Sequence, residues 1–200
     1  MKEFIFLALK ARTTADFGIE ELADTKMDQV CRMVSNCLWI SKNIRRDTVV
    51  HAALTGPKDP PKLITFHGLG LSQDIKADEI SIARVIFKAL RASIGLKLNE
   101  GKEVVPGVII SKKAFETVAK EKSRTSQMFY LHPEGKDIRE VEMGEDVTIM
   151  LGDFIGLPRN TIKLIERLGA QKLSLGPKML FASHCPILVH NELDRREAKQ

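Results

Sequence analysis

Two glycine-broken loops, each following a strand-like run, constrain this 200-residue chain more than any other feature. The first is Leu151-Gly152-Asp153-Phe154-Ile155-Gly156, after the apolar run Val147 to Met150. The second is Leu175-Gly176-Pro177, after Lys172-Leu173-Ser174, and it leads into the helix-like stretch Phe181 to Asn191. Glycine carries no Cβ, so backbone at such a loop can approach a ligand closely. Strand-end loops are also where open α/β sheets bind their ligands. Two of them close together in sequence predict a small-molecule cleft built largely from main chain.

The rest of the chain supplies the sheet that such loops need. Glu3 to Leu9 reads as a buried strand, Thr13 to Gly18 as a turn, and Lys26 to Ser41 as an amphipathic helix capped by Asp24 or Thr25. Asn43 to Arg46 reads as a loop, and Thr48 to Leu54 and Leu63 to Phe66 as strands. Asp78 is placed to cap a helix whose apolar residues wrap most of its surface, and Leu96 to Pro106 is a charged connector. Then come strand Val108 to Ile110, helix Lys113 to Lys122, and strands Met128 to Leu131 and Val147 to Leu151. Helix Asn160 to Leu168, capped by Asn160, strand Lys172 to Leu175 and a closing helix from Ala182 to Arg196 complete the series. Alternation of this kind predicts an α/β fold with a mostly parallel sheet and helices on its faces.

Composition narrows the setting. With 44% hydrophobic and 28% charged residues the chain has the makeup of an ordinary globular protein. No apolar run reaches the roughly 18 residues of a membrane span. The opening Met1 to Lys10 is too short for a signal peptide and reads as the first strand. With no targeting segment visible, a cytoplasmic location is expected. Three cysteines without paired spacing argue against a disulfide framework. The net charge of +5 leans toward an anionic partner, with basic residues clustered at Lys42-Asn43-Ile44-Arg45-Arg46 and at Lys112, Lys113, Lys120, Lys122 and Arg124. The lysines of the second cluster read better as a solvated face.

Five short motifs then stand in a telling order: Tyr130-Leu131-His132, Leu151 to Gly156, Leu173-Ser174-Leu175-Gly176-Pro177, Ser183-His184-Cys185, and His190-Asn191-Glu192-Leu193-Asp194. Together with Met1 to Phe6 and Asn43-Ile44-Arg45-Arg46-Asp47, they resemble the SPOUT methyltransferases, and within them the TrmY family of tRNA pseudouridine N1-methyltransferases. The resemblance covers essentially the whole chain. It implies a single SPOUT domain over 1–200, with a Rossmann-like N-terminal α/β part over 1–105. The part over 106–200 would bind the cofactor and close in a trefoil knot. It also implies a homodimer, S-adenosyl-L-methionine as cofactor, no metal, and pseudouridine in the T-arm of tRNA as substrate. Carried over residue by residue, the cofactor site would be Leu131, Gly152, Leu175, Gly176, Pro177, Lys178, Met179, Leu180 and Cys185. Gly176 stands where the family often carries serine, which leaves backbone contacts open and removes a hydroxyl.

The chemistry suits these residue types. Main-chain groups of a glycine loop can pair with the edge of adenine while Leu and Met side chains cover its faces. Pseudouridine is joined to ribose through carbon, so its N1 bears a hydrogen and becomes nucleophilic once that hydrogen leaves. The protein must hold N1 in line with an already activated methyl group and accept one proton. Arg45, Arg46 and Asp47 are the substrate-side candidates, two arginines suiting phosphate or a base oxygen and Asp47 the N1–H. A surface ion pair between Arg45 and Asp47 is the plainer alternative. Asp28 and Arg32, one helical turn apart, either line the same cleft or form an ordinary helix-surface pair.

Other signals carry less. Cys185 reads as cofactor lining or as a buried structural thiol; its neighbour His184 points to a different helix face, so the two are no nucleophilic pair. His132, His184, Cys185 and His190 match no zinc spacing. His51 reads as a satisfied core histidine, Trp39 as core packing, and Cys31 and Cys37 as helix packing. Three rival functions stay open: methylation of a pseudouridine in ribosomal RNA, RNA binding without catalysis, and an α/β enzyme for an anionic metabolite.

Overall fold

The computed structural model describes residues 1–41 and 43–198. Lys42, part of the first basic cluster, lies outside them. Ten strands and five helices alternate along the described chain. The helices are α1 (Met27–Leu38), α2 (Glu79–Ala92), α3 (Phe115–Lys122), α4 (Arg159–Arg167) and α5 (Cys185–Glu197). The strands are β1 (Lys2–Ala8), the short pair β2 (Trp39–Ile40) and β3 (Asn43–Ile44), β4 (Thr48–Leu54), β5 (Lys62–His67), β6 (Gly101–Val105), β7 (Val108–Ser111), β8 (Gln127–Asp137), β9 (Val147–Gly152) and β10 (Gln171–Ser174).

Eight strands form one sheet in the order β10-β8-β9-β1-β4-β5-β7-β6. From β10 to β4 every pairing is parallel; from β4 to β6 every pairing is antiparallel. The parallel half is the one predicted from the alternation of strands and helices. β1 is its axis: Phe4 pairs with Val50 on one side and Ile149 on the other. Such a strand is covered on both faces, which is why it reads as an unbroken apolar run rather than an alternating one. Phe4, Phe6 and Ala8 turn toward α1, α2 and α5, while Ile5 and Leu7 turn toward α3 and α4. Each large side chain so buried contributes on the order of 2 kcal/mol.

Several boundaries differ from the sequence reading. α1 starts from Lys26 in the left-handed region (φ 61°), with no side-chain cap. The Thr25 hydroxyl instead donates to the carbonyls of Glu21 and Leu22. Asp78 does cap α2, accepting from the Ser81 amide at 2.8 Å, whereas α4 follows Pro158 and Asn160 lies inside it. The connector Leu96 to Pro106 contains β6, which forms a hairpin with β7. Asn43 and Ile44, expected in a loop, pair with Ile40 and Trp39. Strand β8 runs on through Pro133 and Gly135 to Asp137. It leaves β9 after Tyr130, so the missing Pro133 amide costs no ladder bond on that side. A Cβ on Gly135 would lie 2.5 Å from the Leu173 carbonyl carbon, so only glycine lets β10 pass this close. Among the described residues no helix is long and apolar enough to cross a membrane.

Two histidines are built into the core. His51 donates from Nε2 to Glu3 at 2.9 Å and meets the Thr65 hydroxyl at 3.0 Å, as a satisfied core histidine should. Lys122 completes that network from α3, 2.8 Å from Glu3. His190 of α5 packs against Phe4 and donates from Nε2 to the Cys37 carbonyl at 2.8 Å, while its Nδ1 has no partner. Burial, aided by the positive charge of Arg45, lowers its pKa from 6.5 to about 4. Between those two values the unfolded chain therefore binds more protons than the folded one, and stability falls as pH falls. Urea unfolding from pH 7 to pH 4 should show wild-type stability dropping by about 3 kcal/mol from this group. His190→Phe should flatten that slope; an unchanged slope would remove His190 as its source.

Candidate functional site

The parallel strands bring their C-terminal ends to one edge of the sheet, and both glycine loops leave from that edge. There the structure opens a cleft of about 800 Å³, well inside the range of small-molecule sites. Phe6 of β1, Leu131 of β8 and Leu151 and Gly152 of β9 form its floor. The loop Asp153 to Leu157 makes one wall, Met179 to Cys185 the other, and Gln29 and Arg32 of α1 close the third side.

Each wall is held by specific bonds. A Cβ on Gly152 would lie 2.3 Å from the carbonyl carbon of Gly156, so only glycine lets the first loop fold back on its strand. Gly156 itself stands at φ 83°, which side-chain-bearing residues rarely adopt. The buried Asp153 carboxylate is the clamp: Oδ2 accepts from the Leu9 amide at 2.8 Å and Oδ1 from the Ile155 amide at 2.9 Å. Its own amide donates to the Leu7 carbonyl at 3.0 Å. In the second loop the Ser174 hydroxyl meets the Gly176 amide at 3.3 Å. Asn36 of α1 donates to the Ser183 carbonyl at 2.7 Å and holds the turn that starts α5.

Of the residues predicted to touch cofactor, Leu131, Gly152, Met179, Leu180 and Cys185 line the cleft. Leu175, Gly176, Pro177 and Lys178 belong to the same loop but lie outside the lining, between β10 and the wall. Arg32 lines it as well, and its guanidinium is bonded to Asp28 and 3.4 Å from Glu79. Asp28 keeps its other oxygen, Oδ1, buried and without a partner. Sequence reasoning missed Phe6, Gln29, Phe181 and the clamp Asp153. The clamp had a local signal, an Asp inside a Gly-x-x-x-Gly loop able to bond backbone two residues on; the others had none. Apolar Leu131, Leu151 and Leu180 beside two exposed backbone loops fit a flat purine with a polar edge.

The predicted substrate-side residues are each engaged within the chain, and none lines the cleft. Arg45, with 13% of its side chain exposed, grips Asp194 with both terminal nitrogens, at 2.9 and 2.6 Å. Arg46 donates to the carbonyls of Gly68, Leu69 and Leu71. Asp47 pairs with Lys2 at 2.9 Å, not with Arg45. The buried Lys2 ammonium also meets Glu197 at 2.8 Å and Asp194 at 3.6 Å. Burial would raise the Asp47 pKa, but Lys2 outweighs it and holds the carboxyl below 3.8.

Two outcomes test this geometry. Gly152→Ala should weaken binding of S-adenosylmethionine, the cofactor the resemblance implies, by at least about tenfold in calorimetry, because the loop must open by more than overpacked sites tolerate cheaply. Burial pushes the Cys185 thiol up to about 11, so little thiolate exists at pH 8. Native protein should then alkylate far more slowly there than unfolded protein, and Cys185→Ala should keep methyl transfer; loss of transfer would make Cys185 more than lining.

Comparison with known proteins agrees with this cleft. The family described as "Putative SAM-dependent RNA methyltransferase" matches residues 1–198. The chain is 38% identical over 200 residues to a tRNA (pseudouridine(54)-N(1))-methyltransferase of Methanococcus maripaludis, covering 98% of this chain and 99% of that protein. It is 37% identical over 208 residues to the Methanococcus aeolicus protein of the same name, covering 100% of both. Archaeoglobus fulgidus Nep1, solved bound to S-adenosylhomocysteine, shares the fold with a TM-score of 0.60 at 12% identity, over 98% of this chain and 99% of that one. The chain thus shares the fold of Nep1, and by the family match over residues 1–198 it belongs to the S-adenosylmethionine-dependent RNA methyltransferases.

Proposed function

We propose that this chain methylates N1 of a pseudouridine in the T-arm of tRNA, the position 54 named for its relatives. The observation that carries the reading is the strand-end cleft, walled by two backbone loops, in a chain of this family. The reading includes a cytoplasmic enzyme, since that is where it would meet tRNA. It also includes a homodimer with the cleft at the shared face. Supporting the dimer, the cleft's rim is apolar and open: Met179 is 83% exposed and Phe181 77%, and Ile187 and Leu188 continue the patch along α5. Residues 106–200 would be the knotted cofactor-binding part and 1–105 the N-terminal α/β part, of whose described residues Phe6, Gln29 and Arg32 reach the cleft.

S-adenosylmethionine, when bound, supplies a methyl group already activated on a sulfonium. Leu131, Gly152, Met179, Leu180 and Cys185 would hold it, with Leu175 to Lys178 closing over it. The chain must then orient N1, keep water out and take up one proton. Arg45 and Arg46 fix the segment that carries Asp47, through Asp194 and through the carbonyls after β5. Asp47, kept ionised by Lys2, stands at the opposite end of β1 from the cleft, so its role as the acceptor that orients N1–H requires the proposed homodimer to bring it to the partner's cleft. Asp28 is a second carboxylate beside the cleft: it lies behind the lining with its Oδ1 buried and unpartnered, and it holds Arg32, which does line the cleft.

Incubation with radiolabelled cofactor and two T-arm RNAs, one with uridine and one with pseudouridine at the target, tests the reading. Label should enter the pseudouridine RNA alone and map to N1. Asp47→Asn and Asp28→Asn should then separate the two carboxylates: the one that contacts N1–H loses about 10²–10⁴-fold in kcat with cofactor binding intact. Label in neither RNA, with the cofactor bound, would sink the substrate assignment.

A further inference from the structure

A second concavity lies outside the methyl-transfer cleft, beside α2. It encloses about 920 Å³ and is lined by Phe17, Ile19, Leu22, Ile75, Val85, Phe87 and Val105, with Arg84 and Lys88 at its edge. Among the described residues its lining includes the Asp74 carboxylate, which accepts from the Ser72 hydroxyl at 3.1 Å. The acids of the facing turn are drawn back on their own backbone. Glu21 accepts from the Gly18 amide at 2.7 Å, and the Glu20 carboxylate lies over Gly18, where a Cβ would meet it at 2.1 Å. These carboxylates keep their negative charge, so the groove itself is mixed in sign, and among the described residues its cations not taken up by a carboxylate are those of α2.

The exposed side of α2 carries that positive charge. Arg84, Lys88 and Arg91 are all exposed and recur at i, i+4 and i+7, one stripe of the helix. Arg32, Arg45 and Arg139 are taken up by carboxylates. Arg84, Lys88 and Arg91 form no ion pair among the described residues. Arg91 is positioned by an aromatic ring instead: its guanidinium carbon sits 4.6 Å from the centroid of Phe87, and Phe17 meets Phe87 edge-on at 5.6 Å. A guanidinium resting over a ring keeps N–H groups for phosphate, and its plane can stack with a base.

Position links the stripe to the cleft. α2 begins at Glu79, which touches the cleft residue Arg32 at 3.4 Å. At about 1.5 Å per residue the three cations lie roughly 7 to 18 Å along the axis from that end. That distance spans a few nucleotides, and the cations line up to follow one strand of backbone leaving the cleft.

We propose that α2 and its groove form a second RNA-binding surface of this enzyme. Arg84, Lys88 and Arg91 hold successive phosphates of the strand that leaves the cleft, and one unstacked base lies in the groove against Arg91 and the Phe17–Phe87 pair. The proposal rests on the reading that the substrate is RNA and adds where the strand runs. Stacking on aromatic and guanidinium planes beside a cationic track is how proteins hold single-stranded segments without reading sequence.

The test measures tRNA binding by fluorescence anisotropy from about 50 to about 300 mM KCl, and methylation kinetics, for four proteins. In Arg84→Ala/Lys88→Ala/Arg91→Ala, KM for tRNA should rise at least about tenfold with kcat and cofactor affinity unchanged. The slope of log K against log salt should fall by about 2, near 0.7 to 0.9 per lost contact. Arg91→Lys should keep the slope and still lose several-fold in affinity, because charge remains and the stacking plane does not. Val105→Trp, which fills the groove without changing charge, should do the same. A triple variant with wild-type slope and KM overturns the surface, and Arg91→Lys with wild-type affinity overturns the base in the groove. Wild-type protein that binds tRNA but methylates none rejects the substrate reading instead, and the binding series still decides this surface.

Discussion

Strand β1 is hydrogen-bonded in parallel to β9 on one side and to β4 on the other. Everything else in the structure depends on that placement. Because the first strand of the chain sits between strands from the two halves, neither half completes its sheet alone. Because the three run in the same direction, their C-terminal ends finish together and the loops after them must share one edge. The cleft is the consequence: its floor is the ends of β1, β8 and β9, and its clamp, Asp153, bonds the backbone at Leu7 and Leu9 on the far side of the ladder. A ligand bound there would draw on elements from across the sequence, so binding and folding are coupled through this strand.

Charge reinforces the same junction at its other end. Lys2, at the start of β1 and almost wholly buried, gathers Asp47, Asp194 and Glu197, and Arg45 grips Asp194 beside it. Burial alone would lower the Lys2 pKa, but its carboxylate partners outweigh that and raise it. Ion pairs this enclosed stabilise little in net terms, since desolvation offsets attraction, yet removing one member leaves a stranded charge. Their effect is to fix geometry: the segment after β3, the start of β1 and helix α5 are held in one register. The buried neutral His190 sits in the same seam, which ties α5 to α1 and makes the seam sensitive to acid.

Residue by residue, the sequence foretold the sheet better than it foretold the site. The uninterrupted apolar runs at β1 and β9 announced buried parallel strands, and the Asp78 cap was placed correctly because a side-chain carboxylate and the amide three residues on are close in sequence. The start of α1 was legible to within a residue, but its cap was not, because Lys26 enters the helix through a left-handed turn, which no side-chain pattern marks. Strand β8 was cut short at Leu131 because Pro133 and Gly135 are read as turn residues, and only the absence of a β9 partner beyond Tyr130 makes them acceptable in a strand.

The sequence by itself determined the α/β class, the parallel strands that carry the glycine loops, and the presence of a cleft at their ends, because these follow from periodicity and from the one residue without a Cβ. Only the tertiary structure decided which side chains face that cleft. Gln29, Arg32 and Phe6 arrive there from over a hundred residues away, and Leu175 to Lys178 lie outside its lining although the loop containing them forms a wall. It also decided that Arg45 would bind Asp194 and Asp47 would bind Lys2. The physical reason is range: backbone preferences act over a few residues, whereas the choice of a charged partner is made by whichever opposite charge the packed sheet brings within about 3 Å.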